Sequence, residues 1–352
     1  LFRSLNFALI LNLQNKKIIY WEEIMKNIKR FFSSLIIASA MVLSTIGINV
    51  AYAYPTEPIQ LVVPFKPGGG ADRTFRLFAP YLSEELGVPV NVVNIAGGGG
   101  WVAWAQAVKW DAEKDDHKLQ VVNLPHVLSM LDPRMKRTET LEDFNFLAWH
   151  SLDPCIWAVR EGDERFQSLA EFLDYVAKNP NEVIISSTAV GSDDHMGIAF
   201  AEKNIPDFKV RKIYANGDSK KIREVLAGTS DAVAGNVGYY VPQFMEGKLR
   251  PIAVLSAERS PNLPSVPTFA EVTGLMNISY AGRTLATAPG LSEEKRTILL
   301  DAIKRALANP EYVMKEMNNK NPLMFKEGDE LWATLRSSKA MVEKVKFWEM
   351  EE

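Results

Sequence analysis

Two glycine-rich stretches carry the residues of this chain best suited to chemistry. The first is Phe65-Lys66-Pro67-Gly68-Gly69-Gly70-Ala71-Asp72, and the second is Ala96-Gly97-Gly98-Gly99-Gly100-Trp101. Each follows an apolar run of strand length and opens a stretch with helical spacing of apolar residues. Glycine lets backbone approach a ligand closely, and a helix N-terminus offers unpaired N–H groups with a partial positive charge. The chemistry this suits is a non-covalent grip on a small anion. Two later strand-to-helix turns have the same character. One holds Thr188, Gly191, Ser192 and His195, the other Asn216, Gly217 and Asp218. For any single turn, a tight bend with a capped helix is the plainer account. Together they point to one shared site beyond the carboxyl ends of strands, where open α/β sheets bind ligands.

Other chemistries fit less well. The first loop lacks the Gly-Lys-Ser/Thr ending of a P-loop, and no dinucleotide fingerprint fits across Gly68–Phe75. His117, His126, His150 and His195 are scattered without metal spacing, so no metal or cofactor is expected. Ser192 and His195 could form a nucleophile–base pair, but no Gly-x-Ser-x-Gly elbow surrounds any serine. Asp72 reads as a cap of its helix or as a ligand contact, capping being the safer assignment. Trp101 reads as core, or as a ring stacked on a ligand. Cys155 is the only cysteine and sits in the apolar run Cys155-Ile156-Trp157-Ala158-Val159, so it reads as a buried thiol.

The chain has 352 residues, 47% hydrophobic and 24% charged, which suits a globular protein of about two domains. A formal net charge of −3 and the lack of a basic run after residue 30 argue against nucleic acid. Met25-Lys26-Asn27-Ile28-Lys29-Arg30, an apolar run to Val50 and Ala51-Tyr52-Ala53 read as a secretory signal peptide cleaved after Ala53. A retained membrane anchor is the alternative, weakened by the serines, Thr45, Gly47 and Asn49 within the run. Residues 1–24 read as an upstream extension from a misplaced gene start.

Apolar strands are expected at Ile59–Val63, Val90–Ile95 and Leu119–Leu124, alternating with helices, which spells an α/β unit with a parallel sheet. Pro80 is expected to kink or end the first helix. The apolar stretch from Leu147 to Val159 is broken at Asp153-Pro154. A second alternation follows: a helix capped by Ser168, strands at Val183–Ser187, Val210–Tyr214 and Asp231–Ala234, and another strand at Pro251–Ser256. The tail is helical, from a cap at Ser292 and again from near Asp329.

With these elements placed, the motifs resemble a known family. Tyr54-Pro55-x-x-Pro58-Ile59, Val63-Pro64-Phe65-x-Pro67-Gly68-Gly69-x-x-Asp72-x-x-x-Arg76, Leu86-Gly87-x-Pro89-Val90 and Asn94-x-x-Gly97-x-Gly99-Gly100 are similar to the opening of mature Bug/TctC-type proteins. Ser186-Ser187-x-x-x-Gly191-Ser192-x-x-His195, Tyr214-x-x-Gly217 and Leu263-Pro264-x-Val266-Pro267-Thr268-Phe269-x-Glu271 continue it. Such proteins are the extracytoplasmic solute-binding receptors of tripartite tricarboxylate transporters. The resemblance implies a type II periplasmic binding protein fold: two α/β domains, 54–152 plus 276–352 and 153–275, joined by crossings near Leu152–Cys155 and 275–280. It implies a ligand cleft between them. Phe65 to Gly70 and Gly97 to Gly100 would hold a ligand carboxylate, and Thr188 to His195 and Asn216 to Asp218 would face it.

The expected protein is thus a periplasmic monomer that captures a small organic anion (a di- or tricarboxylate, amino acid or aromatic acid) and delivers it to membrane permease subunits, without catalysis. An exported α/β hydrolase-like enzyme, or a binding protein feeding a sensor kinase, are the alternatives. Trp101 and Trp104 stand where the family has small residues, and Asn216-Gly217-Asp218-Ser219 where Gly-Gly-Ala-Pro is common. Asp218, facing the cleft, would suit a cationic or hydroxyl-bearing group.

Overall fold

The computed structural model describes residues 54–215 and 217–350; the expected upstream extension (1–24), the signal peptide (25–53) and Asn216 lie outside the described residues. The first elements are β1 (Ile59–Val63), α1 (Gly70–Leu86), β2 (Val90–Asn94), α2 (Trp101–Ala107), β3 (Lys118–Leu124) and β4 (Asn145–Arg160). Next come α3 (Leu169–Lys178), β5 (Ile184–Ser187), α4 (Asp193–Asn204), β6 (Arg211–Tyr214), α5 (Asp218–Leu226), β7 (Ala232–Asn236) and α6 (Val237–Met245). Then follow β8 (Leu249–Leu255), α7 (Phe269–Thr273), β9 (Tyr280–Thr287), α8 (Glu293–Ala308), α9 (Pro310–Asn318), β10 (Leu323–Lys326) and α10 (Gly328–Val345).

The strands form a ten-stranded mixed sheet in the order β2-β1-β3-β9-β4-β7-β5-β6, with β10 and β8 also paired to β4. β1 runs parallel to β2 and β3, and β5 parallel to β6 and β7. The first three strands are thus parallel as expected, while β4 and β9, whose direction the sequence did not state, run antiparallel to their neighbours. A continuous apolar run marks a strand as buried on both faces but does not state its direction. β4 corrects the expected break at Asp153-Pro154, because it is one strand of 16 residues. Proline is tolerated there since the strand changes partners at that point: Pro154 pairs with Tyr280 of β9, and Cys155 with Asn236 of β7 and Leu255 of β8.

α1 runs through Pro80 without interruption. Its buried face, Phe75, Phe78 and Leu82, packs on Ile59, Leu61 and Val63 of β1 and on Leu299 and Ile303 of α8. Each such side chain contributes about 1.5–3 kcal/mol on burial, enough to offset the lost bond at proline. The helix ends where expected: Gly87 adopts φ 70° and its N–H returns to the Ser83 carbonyl. A second cluster gathers Trp101, Trp104 and Trp149 with Leu331 and Leu335 of α10, and a third gathers Trp157, Phe172 and Phe208. These clusters fix the strand ends from which the site is built. No helix among the described residues is long and apolar enough to cross a membrane.

Candidate functional site

A cavity of about 280 Å³ lies where strand ends and helix starts converge. The first glycine loop, Phe65 to Ala71, forms one wall, and Thr188, Asp193 and the start of α5 from Gly217 to Lys220 form another. Asn123 of β3, His126, Asn236 of β7 and Arg283 of β9 complete the lining. The N-termini of α1, α4 and α5 all reach it, and each brings unpaired N–H groups and a partial positive charge.

The first loop is held by its own helix. Asp72 is 2% exposed, and its carboxylate accepts the Gly68 N–H at 2.8 Å, Arg76 Nε at 3.0 Å and Asn94 Nδ2 at 2.8 Å. Asn94 Nδ2 also donates to the Phe65 carbonyl at 2.9 Å, which ties β2 to the loop. Burial works against the charge, yet these bonds hold the Asp72 carboxyl below the usual carboxylate range. The helix cap is Gly69, so Asp72 corrects both expectations: it neither caps the helix nor lines the cavity but shapes the loop from the first turn, and the Gly68 N–H is already used.

Behind the opposite wall lies a buried cluster of charges. Lys221 Nζ lies 2.6 Å from Asp194, 2.9 Å from Asp218, 2.9 Å from Thr188 Oγ1 and 2.9 Å from the Ala234 carbonyl. Burial opposes its charge, but the two carboxylates hold the ammonium well above its ordinary range. Asp193 accepts from Asn236 at 2.6 Å and from the Cys155 thiol at 2.9 Å, with His126 Nε2 at 3.4 Å. Burial pushes His126 below the usual histidine range against the pull of Asp193, so it adds no positive charge at neutral pH. Burial also pushes Asp153 up to about 7 against Arg283, and Asp194 up to about 7 against Lys221. Cys155, Asp193 and Asp194 are close enough to hold a metal ion, with ligand atoms within 4.8 Å of one another. Their hydrogen bonds and the Lys221 ammonium already account for the group.

Of the residues expected from sequence, Phe65, Pro67, Gly68, Gly69, Gly70, Thr188, Gly217 and Asp218 line this cavity. Gly99 and Gly100 line a neighbouring cavity of about 240 Å³, which shares Phe65 and Thr188 with it. Gly98, Trp101, Gly191, Ser192 and His195 line neither. Trp101 is a correction to the stacking alternative: it is 1% exposed, donates from Nε1 to Ser129 Oγ at 2.8 Å, and lies under the Arg137 guanidinium. Ser192 and His195 are not arranged as a nucleophile and base. Ser192 Oγ accepts the His195 backbone N–H at 3.2 Å as a helix cap, and His195 Nδ1 accepts the Gly191 N–H at 3.0 Å. Gly191 has no room for a side chain, since a Cβ would come within 2.7 Å of Ser129 Cβ.

The sequence reading missed Arg283, Asn123, His126, Asp193 and Asn236. A lone charge in Tyr280-Ala281-Gly282-Arg283-Thr284-Leu285-Ala286, and a lone amide in Val121-Val122-Asn123-Leu124, are signals that would have found two of them.

The same architecture occurs in known proteins. Residues 74–331 match the model of the tripartite tricarboxylate transporter family receptor (TctC), and the chain belongs to that family. A UPF0065 protein of Cupriavidus necator is 30% identical over 264 residues, 74% of this chain and 77% of that one. The crystal structure of a TctC solute binding protein from Polaromonas is 25% identical with a TM-score of 0.63, covering 83% of this chain and 99% of that one. A protein of R. palustris solved with adipate is 24% identical with a TM-score of 0.75, covering 84% and 98%.

Proposed function

We propose that this member of the receptor family is a periplasmic solute-binding protein that captures a small carboxylate in the 280 Å³ cavity and hands it to membrane permease subunits. The observation that carries the reading is the convergence of three helix N-termini and the Arg283 guanidinium on one cavity with a glycine wall. Backbone N–H groups and one buried cation suit a carboxylate, and neither performs covalent chemistry. The adipate in the R. palustris relative agrees with this choice of ligand class.

In this reading the chain has two lobes, 54–152 with 276–352 and 153–275, that close on the ligand as a monomer. Residues 25–53 serve as the export signal, cleaved after Ala53. Binding without turnover is favoured over hydrolysis because Ser192 Oγ and His195 Nδ1 each accept a backbone N–H and are not bonded to each other. A thermal-shift panel of dicarboxylates, tricarboxylates, amino acids and aromatic acids tests the reading. At least one class should raise the melting temperature in a concentration-dependent way. A panel in which no acid does so, with an ester turned over by the same sample, would sink it.

A further inference from the structure

The cavity holds opposite charges over one glycine. A Cβ on Gly70 would come within 3.1 Å of Arg283 Nη2 and 4.0 Å of Asp218 Oδ2, so both groups border the space that this glycine leaves open. They do not pair with each other. Arg283 is 3% exposed, and its contacts are loose: Asn321 Oδ1 at 3.3 Å and Asp153 at 3.8 Å. Its buried Nε has no hydrogen-bond partner among the described residues. A buried guanidinium in that state is a counter-charge for something closer than Asp153, since an unmatched buried charge is costly.

Exposed Lys220 and Arg223 stand at the rim of the facing side, but its buried floor is short of positive charge. Asp218 is held through Oδ1 by Lys221, which leaves Oδ2 towards the cavity. Lys221 also serves Asp194, so one ammonium is shared between two carboxylates. Asp193, 1% exposed and lining the cavity, receives only neutral donors and a neutral histidine. Asn123 Oδ1 and His126 Nδ1 are buried on the same cavity without partners among the described residues. Acceptors in excess beside a cation in excess describe a site built for a molecule carrying both charges.

We infer that the ligand is a small zwitterion, an amino acid whose carboxylate lies on Arg283 and the first glycine loop and whose ammonium lies between Asp218 and Asp193. The inference rests on the carboxylate-binding reading and narrows it. The amine is the discriminating group: a plain dicarboxylate would leave Asp218 and Asp193 facing bare carbon, while an ammonium donates to both. Exposed Lys66, Lys220 and Arg223 at the mouth leave a second, distal carboxylate admissible.

Two ligand series separate the alternatives in calorimetric titrations at neutral pH. Succinate, malate and aspartate differ only in whether C2 carries hydrogen, hydroxyl or ammonium; propionate, lactate and alanine do the same with a shorter chain. In at least one series the amine member should bind about tenfold or more tighter than its hydrogen counterpart. In Asp218→Asn that preference should fall to within about threefold. Amine-free acids that bind as well as or better than the amines would overturn the zwitterion and leave the carboxylate reading standing. A preference unchanged in Asp218→Asn would overturn the assignment equally. If no member of either series binds, and no acid of the wider panel does, the carboxylate reading falls and takes the zwitterion with it.

Discussion

Lys221 is fully buried and sits on two carboxylates, so its removal strands Asp194 and Asp218 in a low-dielectric interior. Breaking a buried pair from one side costs about 3–5 kcal/mol. Lys221→Met should lower the unfolding free energy in urea by that amount, and adding Asp194→Leu should recover part of it. A single variant within about 1 kcal/mol of wild type would show that the cluster is not ion-paired. Asp153 makes a different prediction, through pH. Burial raises its folded pKa to about 7, above the ordinary carboxylate value, so between pH 4 and 7 the folded state binds more protons at this site than the unfolded state does. Its contribution to stability therefore falls as pH rises through that window and is level above it. His150, pushed down to about 3 by burial, pulls the opposite way as unfolded histidine takes up protons below about 6.5. The clean measurement is the difference between proteins. Asp153→Asn should gain on wild type steadily from pH 4 to 7, and a flat difference across the window would refute the shifted carboxyl.

At the scale of elements, the second glycine loop is a packing device. Gly97, Gly98, Gly99 and Gly100 all have positive φ, at 140°, 56°, 64° and 111°. A Cβ on Gly100 would lie 2.4 Å from the Trp104 ring, whereas one on Gly68, at φ 81°, would meet nothing within 4 Å. Gly100→Ala therefore adds overpacking to backbone strain and should cost more than about 3 kcal/mol. Gly68→Ala should cost only the strain, about 1–2 kcal/mol, and equal losses in denaturant melts would count against the packing role. The same contrast shows what could be read in advance. Strand–turn–helix units, the Gly87 C-cap and the Ser168, Ser192 and Ser292 caps are local, and local patterning announces them. Trp101 and Trp104 were legible as departures, but their place against Gly100 depends on tertiary packing. The antiparallel sense of β4 and β9, and which groups Arg283 faces, depend on partners distant in the chain. Periodicity carries no information about those partners.

For the whole molecule, on the proposed two-lobe reading, the two chain crossings decide how the site moves. β4 changes partners between Pro154 and Cys155, and the Cys155 N–H bonds the Ser279 carbonyl at 2.9 Å just before β9, so the two crossing segments lie side by side. The first glycine loop and Arg283 belong to the outer chain segments, while Thr188, Asp193 and Asp218 belong to the inner one. Among the described residues, the contacts that bridge the two at the cavity include Tyr239 Oη to the Gly68 carbonyl at 3.5 Å, the Arg73 guanidinium over the Tyr239 ring at 4.8 Å and His126 Nε2 beside Asp193 at 3.4 Å. Behind it, Asn277 donates to the Gly197 carbonyl at 2.9 Å and Lys203 to the Lys344 carbonyl at 2.8 Å. On the proposed two-lobe reading, the two adjacent crossings would serve as the hinge, and a ligand bound from both sides would favour the closed form. With the zwitterion proposed above, a carboxylate held on one side and an ammonium on the other would gain fully only when the two lobes of that reading meet. Small-angle scattering should therefore show a smaller radius of gyration with saturating amino acid than without. At about one hundred times the dissociation constant, the same ligand should add about 2.7 kcal/mol to stability, a rise of several degrees in melting temperature. Stabilisation of that size with no change in scattering would mean that the ligand enters a cleft already closed, and the hinge would have to be given up while the site remained.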